Sequence, residues 1–237
     1  MINIAINKNH DPAELGKTLR EKGRLQIRNF FPDDVAESLY ELIAQNQTWF
    51  VAYNIGNEYF EVPVEDLIKL DPQQRQQFLN PIMTGAQKGF QYFFQQYYMT
   101  EAIENGREQG HPLHQMHDYV NSDDFLGFMR TLTGADDINR SDSFASRYLQ
   151  GNFLTLHDDT HANETRVAAY TISMTKNWNP DWGGNTVFYD DEGNIVEGYK
   201  PAFNTLNIFM IPQKHAVQHV APFAAAPRLS YLGWLKR

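Results

Sequence analysis

The sequence predicts an α+β protein, with helices first and then an antiparallel β-core of about one hundred residues built as a sandwich or barrel. Three observations carry that reading. After Ser141, short segments rich in β-branched and aromatic residues alternate with turn signals: Phe144–Tyr148, Phe153–His157, Val167–Thr175, Thr186–Tyr189, Thr205–Ile211, Ala216–Val220 and Arg228–Leu235. Before Ser141, apolar positions recur at helical spacing behind helix start signals. The chain has 237 residues, 42% of them hydrophobic and 14% aromatic, which is enough for one substantial core. A single domain over 1–237 is expected, with a helix-rich part at 1–140 packed on a β-core at 141–237.

Taken in order, Asp11-Pro12 reads as an N-cap followed by a proline in the first turn, opening a helix that runs to Lys22 and stops at Gly23. Leu25 and Ile27 alternate with polar residues as in a short strand. Pro32 to Gln45 places Val35, Leu39, Leu42 and Ile43 on one helical face. Trp49–Val62 is aromatic and contains Gly56. It reads as extended chain around a mobile loop, and Tyr53–Phe60 fits either a lid or a plain surface hairpin. Asp71-Pro72 opens another helix. Phe90, Phe93, Phe94, Tyr97 and Tyr98 fall at i, i+3, i+4, i+7 and i+8, the stripe of a helix packed on a sheet. Ser122 caps a helix whose buried face is Phe125, Phe128, Met129 and Leu132, and Gly134 ends it. Asp190 to Asn194 is a hairpin turn.

Composition excludes several functions. The formal net charge of −9 and a pI near 5.3 argue against broad binding to nucleic acid or to an anionic membrane. With no cysteine there is no disulfide framework, no thiolate chemistry and no Cys-based zinc site. The N-terminus, MINIAINKNHDP, lacks a cationic lead and an apolar run, so no signal peptide is expected. No apolar stretch approaches the ~18 residues of a membrane helix. The expected location is the cytoplasm.

The chemistry is organised around Gly151–Asp159, GNFLTLHDD. His157 and Asp159 are two apart, and in a strand such side chains face the same side. With one more histidine they would make a facial triad of two histidines and one carboxylate, which leaves three positions open on iron(II). An isolated H-x-D also fits a solvated acidic turn, so the residues after it decide. His161, His215 and His219 are the downstream candidates, and periodicity alone does not separate His215 from His219. His215 would start its strand near the mouth of the barrel, whereas His219 would lie about 13 Å further along at ~3.3 Å per residue. On the final strand, Arg228, Ser230, Leu232 and Trp234 share one face. A guanidinium inside a barrel is costly unless it meets a carboxylate, which a dicarboxylate ligand would supply. His111, His114 and His117 have metal-cluster spacing, but Gly110 and Pro112 beside them indicate a loop.

These residues carry a resemblance. RYLQGNFLTLHDD (147–159), TKNW (175–178), WGGNTVF (182–188), PQKHAV (212–217) and RLSYLGW (228–234) together resemble the catalytic core of iron(II)- and 2-oxoglutarate-dependent oxygenases, prolyl-hydroxylase-like branch. LQIRNFFPDDV (25–35) resembles the opening of that branch, while 36–140 resembles it poorly. The resemblance implies a double-stranded β-helix (jelly-roll) core with N-terminal and supporting helices. It also implies a dioxygenase using Fe(II) and 2-oxoglutarate, with ascorbate as a further candidate. It assigns iron to His157, Asp159 and His215, the P-x-x-H-x-V pattern falling on His215. It gives the far carboxylate of 2-oxoglutarate to Arg228 and Ser230, with Tyr148 also touching 2-oxoglutarate and Trp234 lining the pocket. Ser173 stands where some prolyl hydroxylases have a second tyrosine. The expected substrate is a prolyl residue in a protein or peptide. The alternatives are a free amino acid or other small molecule, and a non-catalytic 2-oxoglutarate or metal sensor.

Overall fold

The computed structural model describes residues 2–237. Helix α1 (Pro12–Lys22) begins where the Asp11 carboxylate accepts from the N–H groups of Ala13 and Glu14, and it ends at Gly23 with φ 73°. Strand β1 (Arg24–Arg28) and helix α2 (Asp33–Ala44) follow, and α2 buries Val35, Ala36, Leu39 and Ile43. The aromatic stretch after it forms a hairpin of β2 (Phe50–Ile55) and β3 (Glu58–Pro63), turning at Gly56. After the short α3 (Val64–Ile68), α4 (Pro72–Ala86) opens on a capping box between Asp71 and Gln74.

The stretch 90–98 is a strand, not a helix: β4 (Tyr92–Tyr98) pairs with β2 and with two strands of the core. Both periods fit the aromatic positions. What decides is that the strand has both faces covered. Tyr92, Phe94, Gln96 and Tyr98 point into the central cavity, and Tyr97 points outward into the helical core. Aromatic side chains suit such a half-buried pleated surface. Helix α5 (Met99–Glu104) follows, then a loop. Helix α6 (His114–Val120) takes in His114 and His117, where a loop is the sequence expectation. Helix α7 (Asp123–Thr133) is capped by the Ser122 hydroxyl and stopped by Gly134 at φ 75°.

The remaining chain supplies β5 (Arg140–Ser141), β6 (Phe144–Tyr148), β7 (Phe153–His157), β8 (Arg166–Met174), β9 (Thr186–Tyr189), β10 (Ile195–Tyr199), β11 (Phe203–Met210), β12 (His215–Val217) and β13 (Arg228–Lys236). The edge strand β10, Ile195–Tyr199, is one the sequence pattern hides, because Glu197 and Gly198 interrupt it. The strands pair in the order β1-β11-β8-β13-β6-β4-β7-β12-β9-β10, and the pairs are antiparallel. This sheet curls into a nearly closed jelly roll. Its outer face, with Leu229, Tyr231, Leu235, Ile172 and Leu206, packs against Leu19, Leu39, Ile43, Phe125 and Met129 of the helices. The Tyr231 hydroxyl donates to the Leu39 carbonyl at 2.9 Å, tying α2 to the sheet. The inner face is left for the cavity. Among the described residues no helix is long and apolar enough to cross a membrane.

Candidate active site

Strand β7 ends at His157, and the chain then turns, with Asp159 in the left-handed region at φ 63°. The turn, rather than strand periodicity, brings the carboxylate beside the imidazole. His215 opens β12 and is the ladder partner of His157, so the two rings lie 4.1 Å apart. His157 Nε2 is 3.3 Å from Asp159 Oδ1, and His215 Nε2 is 3.5 Å from Asp159 Oδ2. One ligand atom from each of the three residues lies within 4.8 Å of the others.

The backbone fixes which nitrogen is free. His157 Nδ1 lies 3.0 Å from the Thr155 carbonyl and His215 Nδ1 lies 2.8 Å from the Gln213 carbonyl. A carbonyl only accepts, so in each ring Nδ1 carries the proton and donates. In the neutral ring Nε2 then presents a lone pair to the carboxylate. Burial first, and the neighbouring His157 next, push His215 down to about 4, so its ring is neutral at physiological pH. Burial raises the Asp159 carboxyl, but its polar surroundings, Trp234 among them, outweigh burial and hold it below its usual range. Lone pairs converging on a buried carboxylate make a donor set that fits a divalent cation. The backbone hydrogen bonds at Nδ1 are the kind that orient metal-bound imidazoles.

The three groups line a cavity of about 560 Å³. Arg228 lies in its wall, 5% exposed. Its guanidinium donates to Thr186 Oγ1 at 3.2 Å and sits 4.9 Å from the centre of the Tyr148 ring. Its Nε has no partner, and neither do the buried hydroxyls of Ser230 and of Ser146, the cross-strand partner of Ser230. No carboxylate among the described residues forms an ion pair with Arg228. A buried cation and orphaned donors beside a cavity fit the distal carboxylate of a dicarboxylate such as 2-oxoglutarate. Tyr148 is stacked on Phe94 at 4.8 Å, which holds its ring in the wall, and burial raises its hydroxyl above the ordinary value. Trp234 forms the wall near the histidines, with the Arg166 guanidinium 3.9 Å over its ring.

Other candidates fall elsewhere. His219 stacks on Phe153 at 6.2 Å and does not join the ligand group. Exposed His161 lies at the rim of the cavity, 3.8 Å from Glu164. Ser173 is buried and accepts the Ala202 N–H, while Tyr170 and Thr171 of the same strand line the cavity. His114 pairs with the Tyr97 hydroxyl at 2.8 Å, His117 with the Ser143 hydroxyl at 2.9 Å, and His111 stacks on Tyr97 at 4.4 Å. These three act as packing and hydrogen-bonding partners. Sequence reasoning missed Tyr92, Phe94, Gln96 and Tyr98 as cavity residues, because a helical reading of 90–98 does not put them on one face. It also missed Phe90, whose ring is 5.3 Å from His157, and Thr186. Nothing local in YFFQQYY separates its two faces, since each holds aromatics and a glutamine, and nothing in the sequence marks Thr186.

A jelly roll whose cavity joins a two-histidine, one-carboxylate cluster to a buried arginine without a counter-charge fits iron(II) and 2-oxoglutarate. Residues 143–236 match the family model described as the 2OG-Fe(II) oxygenase superfamily. That match covers the β-core, whose donor set fits the Fe(II) and 2-oxoglutarate that this superfamily uses. Solved structures share its fold. A prolyl-4-hydroxylase of Pseudomonas putida has a TM-score of 0.59 at 16% identity, over 96% of this chain and 99% of that one. An oxidoreductase of the 2OG-Fe(II) oxygenase family from Burkholderia pseudomallei has a TM-score of 0.61 at 13% identity, over 98% and 92%. A prolyl hydroxylase of Trichoplax adhaerens, solved with a hypoxia inducible factor peptide fragment, has a TM-score of 0.60 at 17% identity, over 95% and 88%. No curated protein matches the chain in sequence.

Proposed function

We propose that the chain is a 2-oxoglutarate-dependent dioxygenase using Fe(II) that hydroxylates a prolyl residue within a protein or peptide. The observation that carries the reading is where the cavity opens. Tyr59 and Phe90 line it and are nonetheless half exposed, at 50% and 49%, so the cavity reaches the surface at the ring that packs on His157. An apolar aromatic rim at an open mouth suits one residue of a larger chain, which would rest on the rim while its side chain enters. The likeness in fold to two prolyl hydroxylases points the same way.

In this reading His157, Asp159 and His215 hold the metal. Arg228 and Ser230 take the distal carboxylate of 2-oxoglutarate, and the Tyr148 hydroxyl adds a third contact. When bound, iron with 2-oxoglutarate and dioxygen supplies oxidative decarboxylation to succinate and carbon dioxide, coupled to hydroxylation of a substrate C–H bond. The protein orients and encloses. The Thr155 and Gln213 carbonyls hold the Nδ1 protons and thereby aim Nε2. Arg228 is fixed by Thr186 and by the Tyr148 ring before any ligand arrives, which lowers the ordering cost of binding. Phe94, Phe144, Leu154 and Leu232 make the wall apolar and exclude water.

Mass spectrometry of cell proteins with and without the enzyme tests the substrate. The expected result is one added oxygen atom on a prolyl residue, with matching succinate release from the corresponding peptide. Hydroxylation of a free amino acid with no modified protein would replace the peptide reading. Binding of 2-oxoglutarate without succinate formation, with peptides or extract, would leave a sensor.

A further inference from the structure

The segment that carries Asp159, residues 158–165, crosses from β7 to β8 against the cavity wall. Asp159 has a backbone conformation that non-glycine residues seldom adopt, at φ 63°, so its surroundings must hold it. The holding groups form one chain of contacts. Glu164 Oε2 accepts from Arg166 Nε at 2.9 Å, and Glu164 Oε1 accepts from Lys236 Nζ at 2.7 Å. Lys236, only 4% exposed, also meets Asp142 Oδ2 at 2.5 Å. Arg166 covers the Trp234 ring and donates through Nη1 to the Asp159 carbonyl at 3.4 Å. Trp234 in turn lines the cavity wall together with Asp159. The Arg237 N–H donates to the Thr165 carbonyl at 3.2 Å, so the segment is fastened to the C-terminal strand at main chain as well.

We propose that Glu164 and Lys236 form an ionic latch that positions Asp159 and so sets the affinity of the metal site. The inference rests on the reading of His157, Asp159 and His215 as the metal ligands. It goes beyond that reading by assigning roles to charges that touch neither metal nor 2-oxoglutarate. Glu164 is the only carboxylate among the described residues that pairs with both Lys236 and Arg166. Its two oxygens divide the work: one anchors the segment to β13, the other holds the guanidinium that grips the Asp159 carbonyl and covers Trp234. Without Glu164, Lys236 keeps Asp142, so the end of β13 stays satisfied, while Arg166 loses its carboxylate and the segment its side-chain anchor. A carboxylate ligand displaced by even ~1 Å is a poor ligand, which is why groups supporting ligands typically change metal affinity 10–100-fold. Glu164 is thus a positioning residue.

The test is Co(II) binding to the metal-free full chain, followed by the visible absorption of the bound ion, which reports its coordination geometry. Wild type should bind Co(II), and Asp159→Ala should bind it far more weakly. Glu164→Ala should weaken Co(II) binding about 10- to 100-fold and alter the visible spectrum. Its urea midpoint without metal should stay near wild type, and 2-oxoglutarate affinity of the Co(II)-saturated protein should change by less than about threefold, because Arg228 is untouched. Glu164→Gln keeps one oxygen acceptor and should fall between the two. Wild-type Co(II) affinity and spectrum in Glu164→Ala would overturn the latch. So would equal loss of Co(II) affinity, 2-oxoglutarate affinity and folding, which would make Glu164 a general stabiliser. Failure of wild type to bind Co(II) would overturn the metal reading itself, and the latch with it.

Discussion

Replacing Arg228 by methionine should strengthen the free protein and weaken 2-oxoglutarate binding, opposite effects from one substitution. The guanidinium is 5% exposed and fully charged, yet it has one hydrogen bond, to Thr186, and an unpartnered Nε. Taking such an ion out of water costs several kcal/mol. The Thr186 bond returns about 1.5–3 kcal/mol and the Tyr148 face about 1–2 kcal/mol. A net cost of about 1–2 kcal/mol therefore remains in the ligand-free state. Methionine fills similar space without charge, so the free variant should gain roughly that amount. Binding runs the other way. Loss of a charge-assisted contact to a carboxylate costs about 2–4 kcal/mol, or about 30- to 1000-fold in affinity. Urea unfolding of the metal-free protein gives the first quantity, and calorimetric titration of the Mn(II)-loaded protein with 2-oxoglutarate gives the second. A destabilised free protein with unchanged affinity would refute the reasoning and make Arg228 a structural residue.

Three further outcomes are expected. His215→Ala should abolish iron binding, because its Nε2 faces the Asp159 carboxylate, whereas His219→Ala should bind iron like wild type; the reverse pattern in an equilibrium metal titration would exchange their roles. Gly233 sits so close to Asp142 that a Cβ would lie 1.8 Å from its carbonyl oxygen, so Gly233→Ala should cost about 3 kcal/mol of stability through forced backbone movement; an unchanged thermal midpoint would contradict that packing. Burial raises the Glu61 carboxyl above its usual range. The folded state therefore holds a proton that the unfolded state has released, and this contribution is lost as pH rises through the raised value. Glu61→Gln should flatten the slope of stability against pH in that window, and an unchanged slope would assign it to other groups.

How much was legible follows from what each signal depends on. Caps are local, and Asp11, Asp71 and Ser122 each start a helix as written. The short β-segments after Ser141 were legible for the same reason, since turn residues punctuate them. His157 and Arg228 could be singled out because an H-x-D pair closing a strand and an arginine on the inward face of one are unusual in their contexts. The stretch 90–98 was misread because its aromatics satisfy two periods at once, and only the pairing of β4 with β6 and β7 selects one. Pairing is a property of strands 50 or more positions away, such as Gln95 with Arg147, which no local window contains. The same holds for the carbonyls that set the imidazole tautomers, which depend on backbone direction rather than residue type.

The misread strand bears on substrate choice. The family match begins at residue 143, yet the cavity wall is not complete without β4, which lies between β6 and β7. Its Tyr92, Phe94, Gln96 and Tyr98 face the same space as Arg228 and the histidines, and Tyr59 from the β2–β3 hairpin reaches it through a 2.8 Å hydrogen bond from Gln96 to its hydroxyl. The groups proposed to bind metal and 2-oxoglutarate thus come from the matched segment, while the aromatic part of the open mouth, Tyr59 and Phe90, comes from residues before it. A common oxidising centre needs the same few donors whatever it oxidises, whereas the residues around its mouth must fit one substrate. In this chain the second set stands on β4, the hairpin and Phe90. Under the proposed reading, substitutions at Tyr59, Phe90 and the inward residues of β4 would alter what is oxidised without altering how.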